Sequence, residues 1–430
     1  MRVIAALLLM LIGITVVASP PAAAQTQQTL TLEAAMVSAV DRHPSVIAAS
    51  RAVQAAEARL VQARAGTSPQ VSLTGRAAVG TLGSTGTPTG GETVSSHNVA
   101  VGATLPLYDG GITAQQVAQA QAGLDAARAS LLAARQDAAL TAGQSYFQVL
   151  RAQRTVEVRE ASVQTAQAQV RQAEAFFRAG TAAQADVIRA RAAAASAEAE
   201  LVAARGQVET TIASLRSAMA LPVGQPVTVA DPPVPAVLAI AAVEASAEAV
   251  RQRPEVQRAE ADVRSAEAAV RLARIRAGTQ VNVSANGSVQ VTPDPGQTGW
   301  SVAATVSHPL FDGGRSKAAV QEATANLEAA GARREAAVLQ IQTQAYQAAV
   351  GVASASARAE ATRVSAEASQ EALRVTEGRY QAGVGTLVEV LDAQSSAAQA
   401  RVAAVQALYD LHLAVVSLQH ALGRPLVAQR

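Results

Sequence analysis

The chain has no cysteine. Disulfide staples are therefore excluded, and so is a lipid anchor on an N-terminal cysteine. Aromatic side chains are nearly as scarce, at 2% of 430 residues. A compact core leans on such side chains because each buries a large area. Their scarcity beside an apolar share of 50%, much of it alanine, points to long helices packed closely in thin layers. An excess of one charge sign is missing too, with 35 basic and 33 acidic residues and a net charge of +2. Interleaved in this way they read as solvated helix faces, and without clustered bases and stacking aromatics no nucleic-acid partner is expected. His43, His97, His308, His412 and His420 are scattered without metal-ligand spacing, and no G-x-S-x-G elbow marks a nucleophile. No catalytic residue, cofactor or metal is expected, and the chain reads as a non-enzyme.

Long apolar runs are missing after residue 18. The run Val3–Ala18 follows Arg2 and precedes Ser19-Pro20-Pro21 and the A-x-A pattern Ala22–Ala24. It falls short of the roughly 20 residues a spanning helix needs, and its flanks suit a secretory signal peptide over 1–24. The mature chain is expected to begin near Gln25, outside the cytoplasm, with no transmembrane helix and no lipid anchor.

What the chain does have is a tandem repeat. LPLYDGG (105–111) returns as HPLFDGG (308–314), and AVDRHPSV from Ala39 returns as AVRQRPEV from Ala249. FFRAGTAAQADV (176–187) returns as RYQAGVGTLVEV (379–390). The first repeat is expected over 25–222 and the second over 241–430, joined by a Pro-rich, irregular link over 223–240. Each half reads as helix, β-hairpin, long helix, glycine turn, helix. The long helices are expected at 112–178 and 315–381, and the helices after the turns at 182–221 and 385–422. Val149, Val156, Val163, Val170 and Phe177 fall every seven residues, as on a coiled-coil seam. Asp109 and Asp312 are placed to cap the long helices, with Gly110, Gly111, Gly313 and Gly314 letting the chain turn into them. Gly180 and Gly383 mark the turns at the far ends.

The hairpin strands are expected at 70–80, 98–107, 281–292 and 300–310. In VNVSANGSVQVT (281–292) the odd positions are apolar or small and the even ones polar. NVAVGATLPL (98–107) alternates likewise, with Val99, Val101, Ala103, Leu105 and Leu107 on the apolar side. Period two over this length suits a transmembrane barrel strand of about 9–11 residues, though a soluble sheet packed on helices alternates as well. On the barrel reading Trp300 sits at the outer membrane interface, and Tyr108 and Phe311 at the inner one. Four strands cannot close alone, and lipid tolerates no open edge, so the chain must oligomerise.

The doubled (Y/F)DGG, the two hairpins and the turn RYQAGVGTLVEVLDAQ, in this order over about residues 29–427, resemble the outer-membrane factor family of TolC-like efflux proteins. The resemblance implies a mainly α fold with a β-barrel part. Three chains would close a 12-stranded outer-membrane β-barrel continuous with a periplasmic α-helical coiled-coil tunnel. It implies a Gram-negative outer-membrane location extending into the periplasm. It also implies a homotrimer, a periplasmic adaptor (membrane fusion) protein and an inner-membrane pump reached through the adaptor. The function expected is a passive exit duct of a tripartite efflux or type I secretion system, and the alternative is a periplasmic adaptor or scaffold built on helical hairpins.

At the periplasmic mouth, family members hydrogen-bond a Tyr of the second turn to an Asp of the first. Tyr380 and Asp186 match those positions, while Gly385 stands where some members place a latching Arg. Glu389 and Asp392, one helical turn apart, would make a ring of six carboxylates in a trimer, which favours cations.

Overall fold

Two X-Pro steps divide the helices that open each half. The residue before proline is pushed out of the helical region, and proline itself suits a first helical turn. His43 (ψ 131) thus ends α1 (Leu32–Arg42) and Pro44 opens α2 (Pro44–Arg64). Arg253 (ψ 128) ends α5 (Ala242–Gln252) and Pro254 opens α6 (Pro254–Ile275) in the second half. The computed structural model describes residues 29–82, 92–233, 240–291 and 297–427. The leader 1–24, the tip 293–296, most of the tip 81–96 and a part of the Pro-rich link lie outside the described residues.

The remaining elements are β1 (Gln70–Leu82), β2 (Glu92–Tyr108), α3 (Ile112–Arg178), α4 (Gln184–Ala218), β3 (Gln280–Val291), β4 (Gln297–Ser307), α7 (Arg315–Gln381) and α8 (Leu387–Ala421). At 1.5 Å per residue, the 67-residue α3 and α7 are rods of roughly 100 Å. Shorter helices flank each rod in succession. Along α3, Arg128 pairs with Glu57 of α2, and further on Glu160 with Arg205 and Glu174 with Arg191 of α4. Being exposed, such pairs add little stability and serve here as position markers. Among the described residues only α8 is long and apolar enough to cross a membrane. Its Tyr409, Leu411, Val415 and Leu418 are instead buried among residues of α3 and α7.

The heptad seam departs from expectation at its far end. Val149 and Val163 are buried, but Phe177 is exposed, and Phe176 packs against Tyr380 at 5.4 Å instead. A straight helix drifts about 20° per heptad from a seven-residue repeat, so four heptads turn the stripe by about 80°.

The strands form one open, antiparallel sheet in the order β1-β2-β3-β4, with β2 joined to β3 across the two halves. The single chain does not close a barrel. β2 starts at Glu92, where its pairing with Leu82 begins, rather than at 98. β4 runs from Gln297 to Ser307 rather than from 300 to 310. Pro309 lacks the N–H that a further rung would need. A register shift between Pro106 and Tyr108 sets Tyr108 opposite Val281.

The helices after the glycine turns end alike, and one end is strained. Gly423 (φ 75) closes α8, its N–H donating to His420 O and that of Arg424 to Gln419 O. Ala220 (φ 54) closes α4 with the same two bonds, to Ser217 O and Arg216 O. A left-handed residue with a Cβ costs about 1–2 kcal/mol. Ala220→Gly is therefore expected to stabilise the protein by about 1 kcal/mol in denaturant unfolding. Gly423→Ala should do the reverse and more, because its Cβ would sit 2.9 Å from Gln252 C. A lower midpoint for Ala220→Gly would contradict this account.

Candidate functional site

The long helices begin at the sheet on matching caps. Asp109 accepts hydrogen bonds from Gly111 N (2.8 Å) and Thr113 N (2.7 Å), and Asp312 from Gly314 N (3.0 Å) and Ser316 N (2.8 Å). Both glycines of each pair lie at positive φ, from 65 to 90°, which only glycine adopts without cost. The Thr113 hydroxyl, followed by the backbone N–H groups, holds the Asp109 carboxyl below its usual range. The Ser316 hydroxyl does the same for Asp312.

Residues paired directly across an antiparallel ladder share a face. Leu73, Val101, Gly287 and Trp300 make one row, and Val71, Ala103, Ala285 and Val302 the next. Ser72, Gly102, Asn286 and Ser301 make a row of the opposite face. A Cβ on Gly102 would meet Asn286 Oδ1 at 2.9 Å and Ser72 Oγ at 3.6 Å, which places those polar groups together. One face is thus apolar and the other polar across all four strands. No helix packs on the sheet among the described residues. The apolar face lies open: Leu73 is 71% exposed, Val302 64% and Trp300 84%. Tyr108 and Phe311, at the helix side of the sheet, are exposed as well. A contiguous apolar surface of this kind marks a membrane or protein contact.

At the far ends of the rods the two glycine turns come together. Gly180 (φ 78) and Gly383 (φ 74) each donate to the carbonyl three residues back, at Phe177 and Tyr380. The next N–H groups, of Thr181 and Val384, reach Phe176 O and Arg379 O, completing two Schellman motifs. Tyr380 is buried there with Ala173, Val187, Leu387 and Val390. Burial first, and then the Asp186 carboxylate nearby, raises its pKa.

The expected Tyr380–Asp186 hydrogen bond is not made. Among the described residues Tyr380 Oη is buried with no partner, and Asp186 is paired with Arg189 at 3.6 Å. Arg189 lies one turn along the same helix, so it competes locally for the carboxylate. Glu389 faces Arg379 at 3.9 Å, and its N–H is capped by Thr386 Oγ1 at 3.3 Å. Asp392 is exposed and has no ion pair among the described residues. A Cβ at Gly385 would lie 3.1 Å from Tyr380 N, so any side chain there presses on the end of α7. Arg189, Arg379 and Thr386 were missed in the sequence, although Thr386 to Glu389 spells the T-x-x-E capping pattern.

Tyr380→Phe removes a hydroxyl that bonds nothing, and a buried unmet polar group is unfavourable by about 1–3 kcal/mol. The variant is expected to unfold at the same denaturant concentration as the parent, or a higher one. A clear loss of stability would show that Oη finds a partner in the assembled protein.

A second aromatic cluster lies midway along α3. Tyr146 Oη donates to Leu30 O (2.9 Å) and contacts Ala230 O, and burial pushes its pKa up to about 12. Phe147 stacks on His412 at 4.8 Å, and Tyr409 Oη donates to Asp231 at 3.1 Å. Asp231 also takes Arg154 at 2.5 Å. Burial lowers the pKa of His412. Among the described residues no three His, Asp or Glu side chains could hold a metal ion.

The model of the family described as outer membrane efflux protein matches residues 35–221 and 245–424, one segment in each repeat. Outer membrane protein OprJ of Pseudomonas aeruginosa is 34% identical over 137 residues, covering 30% of this chain and 27% of OprJ. The matched part thus spans about a quarter of that relative. A membrane protein from Pseudomonas aeruginosa of known structure superposes with a TM-score of 0.80 at 22% identity, over 91% of this chain and 93% of the other. Outer membrane protein VceC of Vibrio cholerae gives a TM-score of 0.77 at 21% identity, over 91% and 96% of the two chains. Both likenesses speak for the fold.

Proposed function

Because this chain belongs to the outer membrane efflux protein family, we propose that three copies assemble into a passive channel-tunnel, the exit duct of a tripartite efflux or type I secretion system. The open apolar face of the four-stranded sheet carries this reading. Lipid is the medium that would cover such a face, and lipid tolerates no unpaired strand edge. β1 and β4 each have one free edge. Pairing β4 of one copy with β1 of the next, three times round, closes twelve strands with the apolar face outward and the polar face lining the lumen.

The rods supply a second support. Leu339, Tyr346, Val350, Val364 and Val375 of α7 are each about half exposed, with spacings that keep them near one stripe. A neighbouring copy would bury that stripe and continue the helical layer into a tunnel. Trp300 on one side, and Tyr108 and Phe311 on the other, would stand at the two membrane interfaces. The glycine turns would form the periplasmic mouth, where an adaptor linked to an inner-membrane pump would meet the duct. No driving force arises in the chain itself, so the pump must supply it.

In that trimer Glu389 and Asp392 would ring the mouth with carboxylates, of which Glu389 is partly offset by Arg379. The protein is expected to fractionate with outer membranes, to purify as a detergent-stable trimer and to conduct in planar bilayers. A detergent-free soluble monomer after removal of the leader would overturn the proposal. Replacing Glu389 and Asp392 together by Ala should lower cation selectivity, and unchanged selectivity would remove the ring while leaving the duct.

A further inference from the structure

We infer that Arg76 sets a cationic girdle inside the outer end of the barrel, so that the duct presents anion-attracting charge where solutes leave it. The inference rests on the trimeric barrel proposed above, and the test separates the two.

The polar face of the sheet is almost without charge. β3 and β4 contain no Lys, Arg, Asp or Glu, β1 contains only Arg76, and β2 only Glu92 at its tip end. From the helix side up to the row of Ala78 and Ser96, the rest of that face is Ser, Thr, Asn, Gln, Gly, Ala and Pro106. Arg76 pairs with Asn98, which pairs with Gln290, so the ladder sets it on the same face as Ser72 and Asn286. Its side chain is exposed, and no ion pair among the described residues includes it. Its row lies three residues beyond that of Leu73, Val101 and Trp300 towards the hairpin tips. At about 3.4 Å per residue this is roughly 10 Å further out than the residue proposed for the outer interface.

Three copies would bring three guanidinium groups around one lumen, beside the neutral amides of Asn98 and Gln290. A guanidinium stays charged at any working pH and binds carboxylate and phosphate oxygens in a fork, so the girdle favours anionic groups on a solute in transit. Rings of charged side chains set ion selectivity in pores. The mouth carboxylates carry the opposite sign roughly 100 Å away. The two ends would then select in series, and their effects should be separable by mutation.

The test is the reversal potential of the purified protein in neutral phosphatidylcholine bilayers under a KCl gradient, which removes headgroup charge. Arg76→Gln is expected to shift it towards the cation limit, and Arg76→Glu further in the same direction, with channels still forming in both. Arg76→Lys should stay close to the parent. If both Arg76→Gln and Arg76→Glu conduct with the parent's reversal potential, Arg76 does not line the lumen and the inference is overturned while the duct stands. If the parent itself forms no channels, the barrel proposal fails and the girdle with it.

Discussion

Val283→Asp and Leu105→Asp are expected to prevent recovery of the proposed trimer from outer membranes, whereas Ser284→Asp, one residue away, should assemble. Val283 and Leu105 lie opposite each other on the open apolar face, between the row of Trp300 and that of Tyr108. A cation at the bilayer midplane of a barrel is unfavourable by about 2–4 kcal/mol, and an acid by less. Each trimer carries the change three times, so even the lower figure approaches the whole stability of an ordinary domain, about 5–15 kcal/mol. Ser284 lies opposite Thr104 on the polar face, where a carboxylate would remain in water. The measurement is trimer yield from outer-membrane fractions at matched expression. Equal yields for all three variants would show that the sheet does not meet lipid, and loss of the Ser variant alone that the faces are reversed.

Phe147→Ala should lower stability by about 3–5 kcal/mol per chain, the range for truncating a buried aromatic. Phe147 is 1% exposed, meets Tyr146 edge-on at 5.8 Å and lies 4.8 Å from the His412 ring. That cluster ties α3 to α8, and through Tyr146 and Tyr409 to the segments around Leu30 and Asp231. Phe147→Leu keeps most of the volume and should restore much of the stability. Denaturant midpoints of the solubilised protein would show it. A drop of under about 1 kcal/mol for Phe147→Ala would mean that the helices relax into the space.

The features legible in the sequence were those whose cause is local. Asp109 and Asp312 cap helices two or four residues away, and the two glycines after each need only their own φ. Alternation in 281–292 follows from the pleat of one strand. Less legible were features decided by a competition in space. Nothing in the spacing of Tyr380 and Asp186 says that Arg189 would hold the carboxylate, or that a side chain at 385 would meet the backbone of Tyr380. Phe176 stands half a turn round α3 from Val149, on the face that meets Tyr380, which a count of seven from Val149 never reaches. The pairing of β2 with β3 leaves no mark in either half, since each hairpin alone satisfies its own alternation.

That same pairing orders events in time. Val99 meets Val289 only when nearly two hundred residues of later chain have been delivered. On the proposed export route the first hairpin therefore emerges with one long strand edge and an apolar face both unpaired, the condition in which strands stick to one another. α3 can gather α2 and α4 from its own repeat first, but its packing on α6 and α8, like the closing of the sheet, waits for the second repeat. A chain cut after the first repeat should thus be aggregation-prone when secreted, and in the proposed duct membrane insertion would be the last step of folding.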